Sequence, residues 1–183
     1  MVKSTYEKMK DKYGFVGSWA IWNEKDVTDI DIIHKKVSDL KPNIILVGLN
    51  VSKEIETPFS NFHRTKNDYK LGFSILNTMC YGAYMTDIIK DCVDGNSREI
   101  IKSLTPDIDA KYIEAFKKEL SCLGSESKII IAMHGEAYKI LNRHLRNEYK
   151  INRITHYSYR FKGCHIPRIY AMRVHKELRE FTT

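Results

Sequence analysis

Four short stretches place hydrogen-bonding side chains directly after apolar runs: Gly48-Leu49-Asn50-Val51-Ser52, Thr86-Asp87, His134-Gly135-Glu136 and His156-Tyr157-Ser158. Together they hold a carboxamide, carboxylates and two imidazoles, groups able to donate, accept and orient protons. Singly, each has a plainer use: Asn50 as a turn residue tolerating an unusual backbone conformation, His156 as a satisfied histidine, Asp87 as the N-cap of a following helix. The seven histidines show no HxxxH or HExxH spacing, and Cys80, Cys92, Cys122 and Cys164 form no CxxC pair. A zinc site, an iron–sulfur cluster and a redox dithiol are therefore not expected, and the cysteines read as reduced structural thiols.

For the four turns to converge, the runs that precede them must be strands of one sheet. Asn43–Leu49, Ala83–Ile88, Lys128–Met133 and Arg153–Tyr157 are short, apolar and rich in β-branched residues, as buried strands are. Between them Asp68–Tyr81, Asp109–Leu123 and Gly135–Leu145 carry helical spacing, with Ile113, Phe116, Leu120 and Leu123 on one face of the second. After the last strand Ile166, Tyr170, Val174 and Leu178 recur at i, i+4 while Arg168, Arg173, Lys176 and Arg179 take the other faces, and Pro167 sits in the first turn. The pattern predicts an α/β fold, a three-layer α/β/α sandwich around a central, mainly parallel four-stranded sheet. Its ligand crevice then lies beyond the carboxyl ends of the strands.

With 183 residues, 43% of them hydrophobic and 29% charged, the chain has material for one full core, and no repeat, low-complexity tract or linker divides it. A single domain over residues 1–183 is expected. Lys and Arg number 30 against 23 Asp and Glu, a net +7 that favours a polyanionic partner. Apolar runs such as Ile44–Leu49 and Ile129–Met133 fall far short of the roughly 20 residues of a membrane-spanning helix, and no signal-peptide pattern opens the chain. The expectation is a soluble, cytoplasmic, monomeric protein with no membrane association and no obligate protein partner.

Gly48-Leu49-Asn50-Val51-Ser52 followed by His156-Tyr157-Ser158 resembles the two active-site motifs of the uracil-DNA glycosylase superfamily. The similarity runs roughly from Asn43 to Ser158 and includes the Ala83-Tyr84-Met85-Thr86-Asp87 strand end and the Gly135–Leu141 helix. In that superfamily a Gly-x-Asn-Pro motif supplies an Asn that positions the attacking water, and a His-Pro-Ser motif supplies a His to the leaving base. The resemblance puts those roles on Asn50 and His156. Val51 stands where Pro is usual, Tyr157 replaces the second motif's Pro, and Asp87 stands where uracil-specific members often carry Asn. Members with an iron–sulfur cluster have a cysteine spacing that this chain lacks.

What the resemblance implies is a monofunctional DNA glycosylase, without cofactor, that flips a pyrimidine and hydrolyses its N-glycosidic bond to leave an abasic site. No Lys is placed by the motifs as a Schiff-base nucleophile. An ionised Asp87 offers only acceptors, which repel the O4 of uracil and suit the N4 amino group of cytosine, so a modified cytosine is the first expectation. A protonated Asp87 could instead share its proton with cytosine N3. The superfamily also allows a defensive role against phages with hypermodified cytosine. The alternatives are excision of uracil or mismatched thymine in repair and, in another class, a non-catalytic nucleic-acid-binding module.

Base contacts are expected from Asp87, from Leu49 beside Asn50, and from Phe62 or Phe59, aromatics in the Pro58–Arg64 segment suited to stacking on an extruded base. Either Phe could equally cover the core. Ser52, Ser158, Tyr157, Tyr159, Arg160 and Lys162 are the candidate DNA contacts, hydroxyls for phosphates and a basic, aromatic stretch that could grip and wedge a duplex or be a plain solvated loop.

Overall fold

The computed structural model describes residues 1–124 and 127–182; Ser125, Glu126 and Thr183 lie outside the described residues. The strands are β1 (Ser18–Trp19), β2 (Lys41–Asn50), β3 (Ala83–Ile89), β4 (Ile129–Ala132) and β5 (Lys150–Arg153), and they form one sheet in the order β1-β3-β2-β4-β5. β2 runs parallel to β3 and β4, and β4 parallel to β5, while β1 lies antiparallel on β3. The sheet is thus mainly parallel as expected, with five strands rather than four. The extra strand is only two residues long, too short to display an alternating pattern in sequence.

The helices are α1 (Lys3–Tyr13), α2 (Asp31–Lys35), α3 (Lys66–Ile75), α4 (Ser97–Ser103), α5 (Pro106–Cys122), α6 (Gly135–Leu145) and α7 (Pro167–Thr182). Successive side chains of the inner strands point to opposite faces and feed two cores. Ile45, Val47, Tyr84, Ile88, Ile130 and Ala132 pack with residues of α1, α5 and α6 on one face. Ile44, Leu46, Met85 and Ile131 pack with Leu71 and Ile75 of α3 and Tyr170, Val174 and Leu178 of α7 on the other. Helix, sheet and helix make the three layers.

Local signals account for most boundaries. Thr105 accepts from the Ile108 N–H and Pro106 opens α5, which therefore starts ahead of the expected Asp109 and buries Ile113, Phe116 and Leu120. A reciprocal capping box between Thr65 and Asp68 starts α3, which ends at Ile75 rather than Tyr81 as the chain turns through Thr78. In α7 the apolar stripe holds for Tyr170, Val174 and Leu178, while Ile166 lies before the helix and is exposed.

The last strand is displaced from its expected place at Arg153–Tyr157 and covers Lys150–Arg153. β4 gives it partners only from Ile129↔Lys150 to Ala132↔Arg153. Beyond that, Glu177 of α7 takes the Thr155 N–H at 2.7 Å and its hydroxyl at 2.6 Å, drawing the chain off the sheet. His156 consequently sits on a loop past the strand. Among the described residues no helix is long and apolar enough to cross a membrane.

Candidate active site

Gly48 of β2 and Asp87 of β3 are register partners near the carboxyl end of the sheet. A Cβ on Gly48 would lie 2.1 Å from Asp87 Oδ1 and 3.6 Å from the Phe62 ring. Glycine is therefore what lets the Asp87 carboxylate close over β2, while the ring stands at ordinary contact distance. Above them opens a cleft of about 600 Å³ bordered by Asn50, Asn61, Phe62, Asp87, His134, His156 and Tyr157, with Ser52, Lys53, Arg64, Ser158, Tyr159 and Arg160 towards solvent.

Asn50 is the last residue of β2, in the strand rather than in a turn. Its Nδ2 donates to the main-chain oxygens of Val51 at 3.1 Å and Asp94 at 2.7 Å. With both amide protons committed, Oδ1 is the group left to accept from a ligand or a water.

His156 Nδ1 accepts from the Ser158 N–H at 3.1 Å and lies 2.7 Å from the Ser158 hydroxyl. That fixes the tautomer with the proton on Nε2. Burial, and then the proximity of His134 and Lys70, depress its pKa to about 4, so the ring is neutral at ordinary pH. It stacks on Tyr157, centroids 4.3 Å apart. His134 repeats the arrangement at the end of β4: as N-cap of α6 its Nδ1 accepts from the Glu136 N–H at 3.1 Å, leaving Nε2 to carry the proton. Burial lowers its pKa too. The two imidazoles meet edge to face at 5.9 Å.

Asp87 caps no helix, since it lies inside β3. It is almost fully buried, and Oδ2 accepts from Asn61 Nδ2 at 3.0 Å. Burial pushes its pKa up to about 6, the Asn61 hydrogen bond and Lys90 pull it down, and Glu119 adds to the rise. Lys90 reaches the Asp87 main-chain oxygen and pairs at 2.8 Å with the buried Glu119, which also accepts from the Tyr84 hydroxyl at 2.7 Å. Tyr157, wedged near Asp68 and Asp87, is held protonated, first by burial and then by those carboxylates.

Most residues expected at the site converge on this cleft: Asn50, Asp87, Phe62, His156, Tyr157, Ser52, Ser158, Tyr159 and Arg160 all border it. Leu49 borders it as well, but its side chain is buried in the core of the opposite face. Phe59 does not. Although both Phe59 and Phe62 have left-handed backbones, with φ of 67° and 64°, Phe59 points away and is buried between Tyr6 and Trp19. Its core role replaces the base-stacking one. Lys162 is exposed and does not border the cleft.

Two contributors carry no signal in the residue pattern, Asn61 and the main-chain oxygen of Asp94, and a third, His134, is named among the post-strand turns but without a role, which the structure supplies as a second protonated Nε2. Among the described residues no three His, Cys, Asp or Glu side chains are grouped so as to hold a metal ion. No protein-family model matches the chain, and no curated protein matches it.

Proposed function

We propose that the protein is a monofunctional DNA glycosylase acting on an extruded pyrimidine, with a modified cytosine as the preferred base. The observation that carries this reading is the pair of committed side chains facing one cleft, a free acceptor on Asn50 and a neutral Nε2–H donor on His156. The motif resemblance and the net charge of +7 agree with it. In the reaction the C1′–N bond breaks with its electron pair leaving on the base, water adds to C1′, and the water's proton is released to solvent. Asn50 Oδ1 orients that water. It cannot act as a base, so most of the acceleration must come from stabilising the departing base. His156 donates to the pyrimidine O2, where charge accumulates, and a preorganised neutral donor suits that task.

Asp87 favours cytosine-derived bases because a carboxylate accepts from the N4 amino group and repels the O4 of uracil. The test is incubation with duplex and single-stranded oligonucleotides carrying uracil, 5-hydroxymethylcytosine or its glucosylated form, followed by alkaline cleavage at abasic sites. Cleavage at a modified cytosine that disappears in Asn50→Ala is expected. Binding without cleavage of any of these substrates would leave the non-catalytic nucleic-acid-binding module in its place.

A further inference from the structure

The amide of Asn61 is pinned from three sides. Nδ2 donates to Val16 O at 2.9 Å and to Asp87 Oδ2 at 3.0 Å, while Oδ1 accepts from the Phe62 N–H at 3.1 Å. The Val16 carbonyl demands a donor and the Phe62 N–H demands an acceptor, so the side chain cannot turn over without leaving both unmatched. Whatever residue occupies position 87 must therefore offer an acceptor towards Asn61. The other oxygen, Oδ1, lies against Gly48 at the cleft floor.

Resting on the glycosylase reading, we propose that Asn61 is the specificity-positioning residue of the base pocket: it dictates which hydrogen-bonding atom of residue 87 is shown to the base. With Asp87, one oxygen is held by Asn61 and the other is presented as an acceptor. With Asn at position 87, the side-chain oxygen is taken by Asn61 and the NH2 is presented as a donor. The polarity of readout thus belongs to the pair and not to residue 87 alone. Asn61 touches neither base nor sugar in this scheme and acts only through its neighbour.

The pair can be tested by turning the amide round. Asp87→Asn alone is expected to raise the ratio of single-turnover rates on uracil over modified-cytosine duplexes by roughly 5- to 150-fold, the range of one direct base contact. Adding Asn61→Asp removes the donor, so the amide at position 87 turns its NH2 towards position 61 and shows its oxygen to the base. The ratio then returns towards that of the wild type. Asn61→Ala in the same background leaves the amide unoriented and gives an intermediate ratio. Because each ratio compares two substrates on one protein, a reduced folded fraction cancels.

If both double variants keep the full shift of Asp87→Asn, Asn61 is a loop tie and the proposal is overturned. If Asp87→Asn by itself moves nothing, residue 87 does not read the base, and the cytosine preference falls together with the role of Asn61. Should no substrate be cleaved, the same ratios are read from binding of 2′-fluoro analogues of both duplexes, where equal ratios across the variants also overturn the proposal.

Discussion

The floor of the cleft and the loop beyond β5 border the same space but are built by different rules. On the floor, Gly48, Asn50 and Asp87 stand on paired strands, and Val51 and Asp94 hold Asn50 Nδ2 while Asn61 holds Asp87 Oδ2, each leaving one oxygen open. In the loop, Tyr159 is exposed and its contacts are with its own segment: its N–H donates to His156 O, and its ring lies beside Phe161, which Arg173 covers. The strand ends hold atoms in fixed places, as catalysis and base reading require, whereas an exposed loop suits contacts that follow a backbone. His156 joins the two. It leaves the sheet with the loop but is half-buried and has a fixed tautomer.

The contrast is broken or sharpened most strongly by Asn50→Ala and His156→Ala. On the proposed glycosylase function, each is expected to slow single-turnover excision by about two orders of magnitude or more, with far less change in DNA affinity. Near-wild-type rates in both would remove the proposed chemistry from the floor and from the residue that joins it to the loop.

The next effect is on stability. Asp87 has a folded pKa of about 6 against an ordinary 3.8. The folded chain therefore binds more protons between those values, and stability is lost as pH rises through them. Asp87→Asn keeps an acceptor for Asn61 and removes the charge, so it should stabilise the fold by up to about 3 kcal/mol at pH 8, with little gain near pH 4. Denaturant unfolding at the two pH values measures this. A loss of stability at pH 8 would show that the carboxylate is held by more than its burial costs.

Gly48→Ala forces a methyl into the space of Asp87 Oδ1, and a loss of about 1–3 kcal/mol is expected, together with weakened base discrimination. Unaltered unfolding and unaltered discrimination would mean that the floor yields as readily as the loop. The smallest effect belongs to the loop: Arg160→Ala should reduce the slope of log affinity against log salt by about 1, and Lys162→Ala, outside the cleft, by less. A larger change in excision rate than in salt slope for Arg160→Ala would move that residue into the chemistry.

Legibility in sequence divides along similar lines. β2 is readable because an unbroken apolar run ends in Asn50, β3 because apolar residues flank Thr86 and Asp87 on both sides, and α5, α6 and α7 because their apolar stripes keep period. α1 is not, since Lys3–Tyr13 buries only Tyr6 and Met9 among charged neighbours. Arg153–Tyr157 reads as a strand because Ile154 continues the apolar pattern and its N–H still donates to Ala132 O of β4 at 2.9 Å, whereas the next N–H, that of Thr155, goes to Glu177 instead of to a strand. Phe59 and Phe62 could not be told apart, because a left-handed backbone at each sends side chains three residues apart in opposite directions. Asn61 is invisible in principle: its importance lies in partners at Val16 and Asp87, 45 and 26 residues away in sequence.

The connection from β2 to α3 is fastened to the segment around β1 at every turn. Phe59 N donates to Gly14 O at 2.6 Å, Ser18 Oγ to Phe59 O at 2.5 Å, Asn61 to Val16 O, and Trp22 Nε1 to Phe62 O at 3.2 Å. Surface connections are ordinarily where a family gains and loses residues without harm. This one has no slack: a single inserted residue between Phe59 and Phe62 would unseat one ring from the core or the other from the cleft. Length variation among relatives should therefore collect elsewhere, with this stretch and residues 14–22 changing only together.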